Sequence, residues 1–166
     1  MRGMKLCFPL VLIGLLGSAQ NSLKWGARVR VDVDPSDIDS ELISHLARQL
    51  RALGDISIVE DKPDYIIKVV SITNKTESGK IASYTAFYGV YTPVPIDALE
   101  ILAMRDKSMT GLIPLFKGAE FEIRHYIQTI PPKSVDEACK EVVAHVDSEV
   151  FQPVRLVFEK TFNQPK

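Results

Sequence analysis

Three histidines and two cysteines are the residues best suited to chemistry in this chain, and their surroundings decide what they can do. A metal site or a catalytic triad would have to draw on His45, His125 or His145. His45 lies beside Glu41 and Gln49 on a helical stretch and reads as part of a solvated flank. His145 stands between Glu141 and Glu149 at i±4 spacing, an ordinary surface cluster. His125 alternates with Phe121, Ile123 and Ile127, so it is expected as a hydrogen-bonded histidine of the core or of a sheet edge. Cys139 falls in a stripe of valines and reads as a buried thiol that behaves as a small hydrophobe, rather than as a nucleophile.

No HExxH, paired-cysteine or aspartate-rich calcium pattern occurs, and no GxSxG, GxxxxGK or GxGxxG turn. Asp32, Asp34, Asp37 and Asp39 cluster at a strand-to-helix turn. Their sign is wrong for cradling phosphate, and they read as caps and solvated turn residues. The aromatic run places Tyr84 and Tyr88 on one strand face and Phe87 and Tyr91 on the other. One face packs in the core and the other can line a groove. Without bases nearby it is no stacking platform for nucleic acid. No catalytic, cofactor-binding or metal-ligating residue is therefore assigned, and no cofactor is expected. The alternative is a secreted hydrolase or small-ligand binder whose site gathers dispersed residues such as His125, Tyr126 and Glu122.

The elements that must hold these residues are legible from periodicity. Val29, Val31 and Val33 alternate with Arg28, Arg30, Asp32 and Asp34, giving a strand with one wet face. Ser36 or Asp37 is expected to cap a helix from Ile38 to Leu53, with Leu42, Leu46 and Leu50 in its apolar stripe and Gly54 ending it. Ile56 to Glu60 reads as a short strand and Tyr65 to Thr73 as a central one, nearly continuous in apolar residues. A polar loop from Asn74 to Lys80, with a glycosylation-type Asn74-Lys75-Thr76, leads into a strand over Ile81 to Thr92 that should pair back antiparallel.

From Pro93 to Gly118 the pattern loosens. A short helix with Ile96, Leu99, Leu102 and Ala103 on one face is expected, its capping box completed by Glu100. Leu112 to Phe116 is expected as a flap over the sheet edge, or else as an exposed apolar patch that meets a partner. Ala119 to Ile130 reads as a strand with Phe121, Ile123, His125 and Ile127 on one face and Glu120, Glu122, Arg124 and Gln128 on the other. Ser134 to Glu137 forms a second capping box before a helix whose stripe runs from Val135 to Val150, and Pro153 should kink or restart it.

The 166 residues fit one domain, 27–162, after a polar leader (20–26) and before a short tail (163–166). With 46% hydrophobic and 25% charged residues and a formal net charge of −1, nothing draws the chain to nucleic acid or anionic lipid. Arg2 and Lys5, the apolar run Leu6 to Leu16 and the small residues Gly17-Ser18-Ala19 have the form of a signal peptide cleaved near Ala19. That run, about 11 residues, is short of the roughly 20 that a membrane-crossing helix needs. The expectation is export, with membrane contact only through the cleaved leader. Cys7 precedes the small residues rather than following them, so a lipoprotein anchor is not expected. Cys139 is then the one cysteine of the mature chain, and no internal disulfide can form.

The stretch from Val29 to Val69 resembles the small α/β domains of envelope proteins, such as the TolB N-terminal domain and the CsgG-type secretion lipoproteins. It does so through a short strand, a helix over Glu41 to Leu53, and the strands Gly54-Asp-Ile-Ser-Ile-Val59 and Pro63-Asp-Tyr-Ile-Ile-Lys-Val69. The lipobox cysteine of the CsgG type and the propeller of TolB are absent, and no functional residue transfers. The resemblance implies an envelope location and a role through protein contacts, with another envelope protein as partner. The fold expected is an α+β two-layer sandwich: a mixed sheet of about five strands with two long helices on one face.

Overall fold

Periodicity places the first half of the chain as expected. The computed structural model describes residues 24–162. The signal-peptide, cleavage, lipoprotein and tail assignments fall on residues outside that range. β1 (Ala27–Val33) leads into α1 (Asp39–Ala52), and β2 (Ile56–Ile58) follows. β3 (Tyr65–Lys75) and β4 (Ile81–Pro93) form a long hairpin. Then come α2 (Ile96–Arg105), a 3-10 turn (Lys107–Leu112) and α3 (Ile113–Phe116). β5 (Glu120–Ile130), α4 (Val135–Val146), a π turn (Asp147–Phe151) and α5 (Gln152–Phe162) complete the order.

The strands form one mixed sheet in the order β2-β1-β3-β4-β5, parallel across β2, β1 and β3 and antiparallel from β3 to β5. The fold is α+β. α1 and α4 pack side by side on one face of the sheet, where the core lies. Leu42, Leu46 and Leu50 from α1 and Val142, Val143 and Val146 from α4 meet Val29, Ile67, Val69 and Tyr88 there. Close-packed apolar burial of this kind is the main stabilising term. Cys139 is buried among these valines, as expected, and burial pushes its thiol up to about 12.

The helix starts depart from the sequence reading. Neither α1, α2 nor α4 has a side-chain cap, so the boxes at Glu100 and Glu137 do not form. Ser36 and Asp37 are engaged across the sheet instead. Ser71 Oγ donates to Ser36 Oγ at 2.7 Å and Thr73 Oγ1 to Asp37 Oδ2 at 2.8 Å, tying the turn to β3. Ser36 Oγ also accepts a long bond, 3.4 Å, from the Ile38 N–H.

Pro153 does restart the last helix, through a π turn. Proline lacks an N–H and clashes with the carbonyl four residues back, so the ladder widens before it. The Gln152 N–H reaches back five residues to the Asp147 carbonyl. Arg155 fixes the displaced helix: its guanidinium takes Asp55 through two bonds (2.5 and 2.9 Å) and Asp147 through one (2.5 Å). Trp25 docks beside it, 4.9 Å from the guanidinium and 6.1 Å from the Phe151 ring.

Candidate functional site

Helices cover one face of the sheet; the other is open, and its residues follow from strand register. The pairing Asp32↔Lys68↔Gly89↔His125 runs straight across β1, β3, β4 and β5. The adjacent row is Val70↔Phe87↔Ile127, and the next is Ile72↔Thr85↔Thr129. On the other side lies Arg30↔Ile66↔Tyr91↔Glu122, where β5 carries a bulge. Gly89 supplies no side chain between Lys68 and His125, and a concavity of about 510 Å³ opens there. The Tyr91 ring leans into this gap. Asp34, at the end of β1, closes the far corner beside Val70 and Phe87.

The charges around the concavity are mostly paired. Lys68 Nζ lies 2.6 Å from Glu120 and 5.1 Å from the Tyr91 ring centroid. Glu120 holds the Lys68 ammonium pKa above its usual range. Arg30 binds Asp32 at 2.8 Å and reaches Glu120 at 3.8 Å. Glu122 lies 2.8 Å from His125 Nδ1 and accepts from the Tyr91 hydroxyl at 3.4 Å. The Asp34 carboxylate meets no partner among the described residues.

His125 is a hydrogen-bonded histidine of the edge strand rather than of the core. Its side chain is 74% exposed, and Ile127 beside it is 65% exposed. The bulge in β5 splits its expected apolar face: His125 and Ile127 lie on the open side together with Glu122, while Ile123 packs against the core. The face toward α4 carries Tyr126, Gln128 and Ile130, which pair with Tyr88, Ala86 and Tyr84. Gln128 donates to Glu141 at 2.7 Å, and Tyr126 donates to Glu149 at 3.4 Å while stacking on His145. Those contacts, not i±4 pairing with His145, occupy the two glutamates. The dispersed trio His125, Tyr126 and Glu122 does line one concavity, with the Tyr126 hydroxyl turned away from it toward Glu149.

The other candidates stand apart. His45 lies in the α1–α4 seam rather than on a free flank, 3.1 Å from Asp136, which also takes Arg48 and Gln49. Those donors hold the Asp136 carboxyl below its usual range. No cluster of three metal-ligating side chains occurs among the described residues. Asn74 is engaged at the end of the open face, its amide donating to Ser83 and Thr85 at 3.0 Å each. Phe87 and Tyr91 do line the groove that alternation allowed them. Gly89 was the residue missed, and its signal was a lone glycine inside an otherwise aromatic strand.

The insertion between β4 and β5 is not a flap. It folds as α2, the 3-10 turn and α3 packed on one another, and the Val94 N–H closes its base on the Ala119 carbonyl at 3.0 Å. Met104 (81%), Leu115 (74%) and Ile101 point outward. Its apolar residues are thus exposed rather than folded over the sheet edge.

No family model matches the chain, and no curated protein does. Solved structures with a similar fold include a PelC dodecamer from Paraburkholderia phytofirmans, 15% identical over 80% of this chain and 94% of that one, with a TM-score of 0.39. The rare lipoprotein B from Shewanella oneidensis is 18% identical over 78% of this chain and 98% of its own, at 0.31. TolB from Acinetobacter baumannii, a relative of the domain that residues 29–69 resemble, is 8% identical over 73% of this chain and 27% of its own, at 0.41.

Proposed function

We propose that the chain is an exported envelope protein that binds other proteins through the open face and free edge of its sheet, without enzymatic chemistry of its own. One observation carries this reading: Val70, Ile72, Phe87 and Ile127 stand exposed side by side around the concavity. Grouped apolar exposure of that kind marks a contact surface. It continues to the edge strand β5, whose 11 residues offer backbone groups to an added strand. Export is supported by the leader-like residues Arg2 to Ala19.

The Glu122–His125 pair supports a second reading, a small ligand held in the concavity. There Glu122 lies 2.8 Å from His125 Nδ1 and accepts from the Tyr91 hydroxyl at 3.4 Å. Capture from envelope extracts on immobilised protein separates the two. The expected result is a partner retained by the native chain and lost with Ile127→Asp. Equal retention by both would remove the open face from the reading.

A further inference from the structure

One row of residues crosses the concavity from an apolar end to an acidic one. Register sets Val70, Phe87 and Ile127 side by side on β3, β4 and β5, all three exposed. Asp34, also exposed, stands one step beyond the Val33↔Val69 pair. Its N–H donates to the Val69 carbonyl at 2.9 Å, so it extends that row onto the β1 side. The bases nearby are already engaged. Arg30 holds Asp32 at 2.8 Å, and Lys68 lies 2.6 Å from Glu120. Glu120 pairs with Pro93, on the opposite side of Gly89 from Phe87, so the Lys68 ammonium is drawn away from the row. Four acids, Asp32, Asp34, Glu120 and Glu122, thus surround the concavity against two bases. Among the described residues, Asp34 is the one of the four whose carboxylate meets no side-chain partner.

We infer that the protein held on the open face presents an arginine or lysine flanked by apolar residues, and that this side chain lies along the row with its cation on Asp34. The inference rests on the open face being the binding surface and names the chemistry of its occupant. Phe87 and Asp34 are two strand spacings apart, roughly 10 Å. A basic side chain rooted over Phe87 bridges that gap together with the carboxylate, its methylene stem covering Val70. Arginine suits the row best, since its guanidinium takes a carboxylate bidentately and lies flat against an aromatic face. Apolar neighbours of that residue meet Ile127 and the Tyr91 ring, which leave water in the same contact. The acid excess around the concavity attracts the cation and discriminates against an acidic segment.

Nuclear magnetic resonance titration of the purified protein tests it with defined probes. One is an acetylated, amidated pentapeptide with arginine at its centre and leucine elsewhere. The second has citrulline at the centre, which keeps the shape and loses the charge. The arginine peptide is expected to shift the backbone amides of Val70, Phe87 and Ile127. It should bind about fivefold more tightly than the citrulline peptide, the upper range for an exposed ion pair, and the difference should shrink as salt rises. Asp34→Asn, a near-isosteric change at an exposed position, should abolish that difference and leave citrulline binding unchanged. Agmatine, the same cation without the peptide, should bind more weakly than the arginine peptide. Equal affinity for the two peptides, binding of neither, or an Asp34→Asn protein that still discriminates overturns the inference. Agmatine binding as tightly as the peptide also overturns it, in favour of a small amine. If the peptides fail while Ile127→Asp still abolishes capture from envelope extracts, the cation inference falls and the open-face reading stands. Capture that Ile127→Asp leaves intact removes the open-face reading itself.

Discussion

The Tyr91 ring lies across Gly89 so closely that a Cβ at position 89 would fall 2.5 Å from its Cε2 atom. Gly89 is thus what lets the ring rest in the sheet face, under the Lys68 ammonium and within reach of Glu122. The obstructing atoms are the far end of a movable side chain, so Gly89→Ala displaces the ring rather than the strand. Chemical denaturation should show a stability change within about 1 kcal/mol. Partner capture should fall. Unchanged capture would mean that Tyr91 does not shape the surface.

Arg155 joins three parts of the chain that are distant in sequence: the loop before β2, the π turn and α5. Its partners Asp55 and Asp147 are largely shielded, so Arg155→Met leaves two carboxylates without their cation. Fully buried pairs broken in this way lose about 3–5 kcal/mol; partial solvation here reduces the expected loss to roughly 1–3 kcal/mol. Trp25, the single tryptophan, sits over the guanidinium, so its emission should shift red in the native variant. Urea titration followed by that emission reads both effects.

Asp64 joins β1 to the turn before β3. Arg28 donates from its side chain at 2.8 Å and from its backbone at 2.8 Å, and these bonds hold the Asp64 carboxyl below its usual range. A folded-state value below the unfolded one means that the unfolded chain binds the proton first. The contribution is then complete above the ordinary carboxylate range, near about 4, and disappears as pH falls through the lower folded value. Urea midpoints measured from neutral to acidic pH should fall less steeply for Asp64→Asn than for the native chain. Identical slopes would contradict the pairing.

Cys139 should be inert while the protein is folded. Burial raises its thiol pKa to about 12, so almost no thiolate exists at neutral pH. Disulfide exchange reagents, followed by mass spectrometry of the Cys139 peptide, should label it only when α4 opens. Rapid labelling in native buffer would place the thiol at the surface.

Much of the fold was legible because one helical stripe and one strand alternation each had a single solution. Leu42, Leu46 and Leu50 are all fully buried, and Val29 likewise. β5 was legible as a strand but not in its orientation. Its apolar residues alternate with polar ones, and alternation alone does not say which face a helix will cover. Here register to β4 decides, placing Tyr126 opposite Tyr88 beneath α4 and leaving Ile127 in the open. The caps were misread for a related reason: Ser36 and Asp37 found partners on β3, contacts that local spacing does not reveal. The concavity depends on four strands meeting at Gly89, and no linear motif describes that.

The central claim, that the open sheet face is where this protein meets other proteins, is tested most directly by site-specific photo-crosslinking in cells. A photoreactive residue at position 127 probes the open face, and one at position 51, exposed on α1, probes the helical side. Crosslinked protein species are expected from position 127 and not from position 51. Adducts absent at 127, or equally abundant at both positions, would contradict the account.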